Sequence, residues 1–167
     1  MEKNIRKNHA TRPVKKEDLD ALLAMLTDLV RHEGLEDRFQ MTQERLEKDL
    51  FGEYSDWHCL IATNLQDVPV GFCLYSRINI NRSFNNSPML QMDHLYVKPE
   101  WRKSGIGQNL LFHLAQVAKE QGAGRINAWC IKENEQGQNF YRKIKAEKRD
   151  FVDIYSMQIN NLLENSI

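Results

Sequence analysis

Apolar positions along the chain fall into two alternating spacings, and the switches between them mark the elements. From Glu17 to Val30, Leu19, Leu22, Leu23, Leu26, Leu29 and Val30 recur at helical spacing, which predicts a helix with one face on a core. His9 to Arg12 before it reads as an entering strand, with Pro13 at its end. A polar break follows the helix, and Thr42 is a candidate cap for a second helix through Leu50. Arg45 stands where a Glu would complete a capping box, so only half of that motif is present. Trp57 to Thr63 and Val70 to Ile80 are rich in aromatic and β-branched residues. Asp67, Pro69 and Gly71 interrupt them, which predicts a hairpin. Arg82 to Pro88 is polar and turn-like, and Leu90 to Val97 is the next strand. Ile106 to Glu120 then carries a helical stripe of Leu110, Leu111, Leu114, Ala115 and Ala118, closed by Gly122 and Gly124. Arg125 to Ile131 reads as a strand, Glu135 to Ile144 as a short helix and Phe151 to Ile159 as a late strand. No repeat or low-complexity linker divides this order. It predicts one mixed α/β domain with a central sheet carrying helices on its faces.

Length agrees: 167 residues suit a single domain over 1–167, with a core from about residue 9 to about residue 160. The 23 basic and 23 acidic residues cancel, which removes bulk attraction to nucleic acid or an anionic membrane as a default function. Cys59, Cys73 and Cys130 have no paired spacing, so neither a disulfide framework nor a zinc ribbon is expected. His9, His32, His58 and His113 make no metal-ligand spacing with them, and no metal is expected. No apolar run approaches the ~18 residues of a membrane span, and Met1 to Arg6 leads into no apolar segment. A cytoplasmic protein is the simplest expectation.

The sharpest chemical pattern is Arg102-Lys103-Ser104-Gly105-Ile106-Gly107, between a strand and a helix. Glycines there remove side-chain bulk, and the helix opening offers unpaired backbone N–H groups and a favourable dipole to a phosphate. The loop is neither a Walker loop nor a full dinucleotide fingerprint. A tight turn before a surface helix would need the same glycines.

The order around this loop resembles the GNAT superfamily of N-acetyltransferases. Arg102, Gly105 and Gly107 match its acyl-CoA motif. Arg12-Pro13 before an acidic helix start, the strand before the glycine loop, and Asn134 leading to Phe140-Tyr141 match further landmarks. Within the superfamily the chain is similar to the diamine (spermidine/spermine) acetyltransferases. Trp57-His58-Cys59-Leu60-Ile61-Ala62, Val70-Gly71-Phe72 and Asn139-Phe140-Tyr141 carry that likeness. Two positions depart from it: Lys145 stands where a glycine often follows the tyrosine helix, and His94 replaces an acid.

The resemblance implies a mixed, mostly antiparallel sheet and acetyl-CoA as the acyl donor. It implies donor contacts at Leu95, Tyr96, Val97, Arg102, Lys103, Ser104, Gly105, Ile106, Gly107, Asn134 and Tyr141. It implies acetyl transfer directly to a primary amine, a polyamine or a small lysine-like amine, and a homodimer. An alkyl ammonium costs about 4.6 kcal/mol to neutralise at pH 7, so a base helps. Asp93 maps onto the family's acid and is the first candidate base, while Tyr141 is the candidate proton donor to departing CoA. Asn134 either contacts CoA or caps the following helix. Glu33, Glu36, Asp37, Asp93 and His94 are the candidate acceptor-binding residues, the first three as an acidic cluster that attracts a cation. In a regular strand His94 would face away from Asp93, and a bulge would change that. The alternatives are a protein lysine or N-terminal acetyltransferase, or a regulatory domain that binds acyl-CoA without turnover.

Overall fold

In the computed structural model, which describes residues 9–78, 87–149 and Ile159, five strands form one sheet in chain order. They are β1 (His9–Pro13), β2 (Trp57–Asn64), β3 (Pro69–Ile78), β4 (Met89–Val97) and β5 (Arg125–Ala128). All neighbours are antiparallel except β4 and β5, which run parallel. The mixed, mostly antiparallel sheet is therefore present. Its helices are α1 (Leu19–His32), α2 (Gln43–Phe51) and α3 (Ile106–Glu120). Contacts divide the chain into two units, Met1–Trp129, which holds all of these, and Cys130–Ile167, which holds α4 (Glu135–Lys143).

The helices cover the sheet as their stripes require. Leu19, Leu22, Met25, Leu26 and Leu29 of α1 and Leu46 and Leu50 of α2 form one buried cluster with Cys59, Ile61, Phe72, Leu74 and Tyr96. Leu60 and Ala62 alternate with Cys59 and Ile61, so they serve the opposite face, where α3 buries Ile106, Leu110, Leu114 and Ala118. With both faces covered, β2 and β3 read as continuous apolar runs rather than alternating ones. Ala115, expected in the α3 stripe, is exposed and Leu111 is half-buried, because the buried row steps by four residues and both lie off it. Met25, left out of the expected α1 stripe, is buried in the cluster.

Thr42 caps α2 through its Oγ1, which accepts the Arg45 N–H at 3.2 Å. Before α1, a 3₁₀ turn at Lys16–Asp18 replaces the expected first helical residues. The Arg12 guanidinium causes this with two bonds to the Asp18 carboxylate, at 2.7 and 3.0 Å, to which the Lys15 N–H adds a third at 2.8 Å. Arg12 Nε also donates to Asp67 on the β2–β3 turn at 3.0 Å, so one side chain ties β1, the start of α1 and the hairpin. β1 ends at Pro13, as the sequence predicts. Gly71 lets β3 and β4 approach: a Cβ on it would sit 2.8 Å from the Tyr96 carbonyl oxygen. β5 stops at Ala128, three residues short of expectation. The expected Arg82 to Pro88 turn falls mostly outside the described residues, as does the late strand, of which Ile159 alone is described and is helical and exposed.

Candidate active site

The glycine loop opens α3 with its first-turn amides free for an anion. Gly105 is the N-cap at φ 88°, a left-handed conformation that favours glycine, and no side chain caps the helix. The Asn109 N–H is the first to find an intrahelical acceptor, the Gly105 carbonyl at 2.9 Å. The amides of Ile106, Gly107 and Gln108 before it have none, and the first turn holds no acidic residue. Arg102 works for the loop rather than across it: its Nε donates to the Val97 carbonyl at 3.0 Å and its guanidinium lies over the Tyr96 ring. Tyr96 is itself buried and stacks on Phe72, so it reaches the loop through Arg102. Lys103 is exposed at φ 61°, and Ser104 donates to the Trp101 carbonyl.

The sheet leads into this loop along an open edge. β5 pairs with β4 only from Met89 to Met92, so among the described residues β4 from Asp93 to Val97 is laddered on the β3 side alone. That leaves the Leu95 and Val97 backbone outside any ladder on the other side, with the Val97 carbonyl engaged by Arg102. At the head of the open edge the β3–β4 register slips. Leu74 pairs with His94 and Tyr75 with Met92, which makes Asp93 the extra residue of a β-bulge. Trp57 Nε1 donates to Asp93 Oδ2 at 2.7 Å, and Trp57 packs on the cluster under α1 and α2. Leu74 belongs to the same cluster, so His94 opposite it shares that face with Asp93. The bulge thus overrides the alternation a regular strand would impose. Burial pushes the half-buried His94 imidazole below its ordinary value, and the Asp93 carboxylate opposes this in part.

The acidic cluster separates by environment. Glu33 closes α1 and is half-buried, and burial pushes its carboxyl up against the pull of His32. Glu36 and Asp37 are exposed on a 3₁₀ turn, Glu36–Arg38.

In the second unit, Asn134 caps α4: its Oδ1 accepts the Gly137 N–H at 2.8 Å. Of the two roles expected for Asn134, the cap is present, and the side-chain NH₂ remains as a donor. Tyr141 lies on α4 edge-on to Phe140. α4 ends in a Schellman turn, with Ala146 N–H on the Tyr141 carbonyl and Lys145 N–H on that of Arg142. Lys145 sits at φ 60°, which accounts for the glycine expected there.

Trp57 is the site residue whose role the sequence did not disclose. It stands 36 positions from Asp93, and only the register of three strands brings the two together. Among the described residues, no group of three or more His, Cys, Asp or Glu could hold a metal, and no helix is long and apolar enough to cross a membrane.

A helix N-terminus that offers amides, an unladdered strand edge leading to it and a bulge at its head make a site suited to an extended anionic ligand. The family model described as acetyltransferase (GNAT) family matches residues 21–145, and the chain belongs to that family. The thialysine N-epsilon-acetyltransferase of Sus scrofa is 30% identical over 149 residues, covering 85% of this chain and 85% of that protein. The peptidyl-lysine N-acetyltransferase YjaB of Escherichia coli (strain K12) is 29% identical over 139 residues, covering 82% of this chain and 80% of that one. Among solved structures, an integron cassette protein from the mobile metagenome of V. cholerae matches with a TM-score of 0.75 at 24% identity, covering 95% and 99% of the two chains. The protein is an acetyl-CoA-dependent N-acetyltransferase. Its α3 N-terminus fits the pyrophosphate of that donor, and the open β4 edge fits the extended arm.

Proposed function

We propose that the chain acetylates a small primary amine, a lysine-like amine or a polyamine, by direct transfer without an acetyl-enzyme intermediate. The observation that carries this reading is the bulge at Asp93, which gathers one carboxylate and one imidazole on a single face at the head of the open strand edge. A lone carboxylate suits one ammonium group, and the thialysine acetyltransferase likeness supports a lysine-like side chain. Glu33, Glu36 and Asp37 draw the cation in, while exposed Arg77 weighs against a long polycation.

Acetyl-CoA, when bound, supplies an electrophilic thioester carbonyl and a thiolate leaving group. The amides of Ile106 to Gln108 hold its pyrophosphate, and the backbone at Leu95 and Val97 aligns the extended arm. Lys103 adds a positive charge beside the loop. Asp93 holds the acceptor ammonium, and one of Asp93 and His94 receives its proton. Cys59 and Cys73 take no part as nucleophiles: burial holds both thiols protonated, Cys73 up to about 12. The protein works as a homodimer.

A second reading, a lysine within a protein, is favoured by the likeness to the peptidyl-lysine acetyltransferase. Separate kcat/KM values for thialysine, lysine, spermidine, spermine and short lysine peptides decide between them. The small lysine-like amines are expected to lead, and a preference for peptides would replace the first reading with the second.

A further inference from the structure

We propose that His94 is the group that takes the proton from the acceptor ammonium, with Asp93 clamped by Trp57 as the fixed negative charge beside it. This assignment rests on the small-amine reading above. Its support is geometric. The bulge brings Asp93 and His94 to the same face, but their surroundings differ. Asp93 Oδ2 is occupied by the Trp57 N–H at 2.7 Å, which fixes the carboxylate in place as an anchor for a cation. No hydrogen bond among the described residues engages the His94 ring, so its nitrogens remain available.

The surroundings keep that ring neutral. Leu74 lies opposite it on β3 and is fully buried. Burial holds the neighbouring Cys73 thiol and Tyr75 phenol uncharged. From α1, which packs against this part of the sheet, Asp28 acts on Tyr96 instead. Asp93 alone opposes the burial that favours neutral imidazole. A neutral imidazole has the lone pair that a base requires, and its conjugate acid is far closer in strength to an ammonium than a carboxylic acid is.

The step balances. One ammonium proton passes to a His94 ring nitrogen and then to solvent. The freed nitrogen lone pair forms the N–C bond as the C–S bond breaks, and the second N–H proton finishes on sulfur.

The test is the pH profile of kcat/KM for thialysine in the wild type, His94→Gln and Asp93→Asn, with acetyl-CoA affinity and melting temperature measured alongside. The wild type is expected to lose activity as pH falls through an acid limb below the ordinary imidazole value. His94→Gln should lose that limb and about 100-fold in turnover, yet bind acetyl-CoA normally. Asp93→Asn should keep the limb and raise KM. In a His94→Ala enzyme, added imidazole should restore turnover, which a purely structural role would not allow. A His94→Gln enzyme with the wild-type rate and limb would overturn the assignment. So would loss of the limb in Asp93→Asn alone. Absence of wild-type turnover on every small amine would overturn the small-amine reading and this assignment together, and no variant is needed to see it.

Discussion

Arg12 and Asp18 show how much of this protein one contact can organise. Asp18 is nearly buried, with 7% of its side chain exposed, and burial by itself would push its carboxyl up. The Arg12 guanidinium and the Lys15 N–H outweigh that and hold it below the ordinary range. A carboxyl lowered in the folded state contributes stability that is fully present above its unfolded value, about 3.9, and is lost as pH falls through the folded value. Asp18→Asn is therefore expected to cost roughly 2 kcal/mol at neutral pH and to flatten the acid side of the stability curve. Urea unfolding from neutral to acid pH checks both; an unchanged acid slope would count against the pairing. The sequence displayed Arg12-Pro13 and the acidic helix start as separate landmarks. Their bond depends on a turn that no periodicity encodes. The Trp57–Asp93 bond was less legible still, because it requires the strand register and its slip.

At the scale of elements, sequence patterning was most informative where period and punctuation coincided. α3 runs from Ile106 to Glu120 as the apolar stripe and the closing Gly122 and Gly124 predict, and α2 starts at its Thr42 cap. The 3₁₀ turns at Lys16–Asp18, Glu36–Arg38 and Pro99–Trp101 were not legible, since three residues are too few to carry a period. The bulge in β4 was legible only as a condition on where His94 would point. α4 shows a local conflict: its Schellman turn forces Lys145 to φ 60°, where a Cβ is costly. Lys145→Gly should stabilise the protein by about 1 kcal/mol, read as a higher melting temperature, with acetyl transfer unchanged. A lower melting temperature would mean that the lysine side chain contributes more than its backbone strain removes.

For the molecule as a whole, the fold class was legible in the order of the elements, and acetyl-CoA dependence in the family resemblance carried by Arg102, Gly105, Gly107 and the Asn134 to Tyr141 landmarks. The structure adds the open edge between β4 and β5, which no single segment announces. That edge joins the glycine loop, proposed to hold the donor, to the bulge at Asp93, proposed to present the acceptor groups, and the proposal is that the amine attacks the donor directly. The measurement that tests this most directly is the fate of an isotopic label on the acetyl group of acetyl-CoA, followed by mass spectrometry of protein and small molecules with thialysine present. The account predicts label on the amine nitrogen of thialysine, one free thiol released for each label transferred, and an unlabelled protein. Label held on the protein, at Cys130 for example, or acetyl-CoA consumed with no labelled amine, would contradict it.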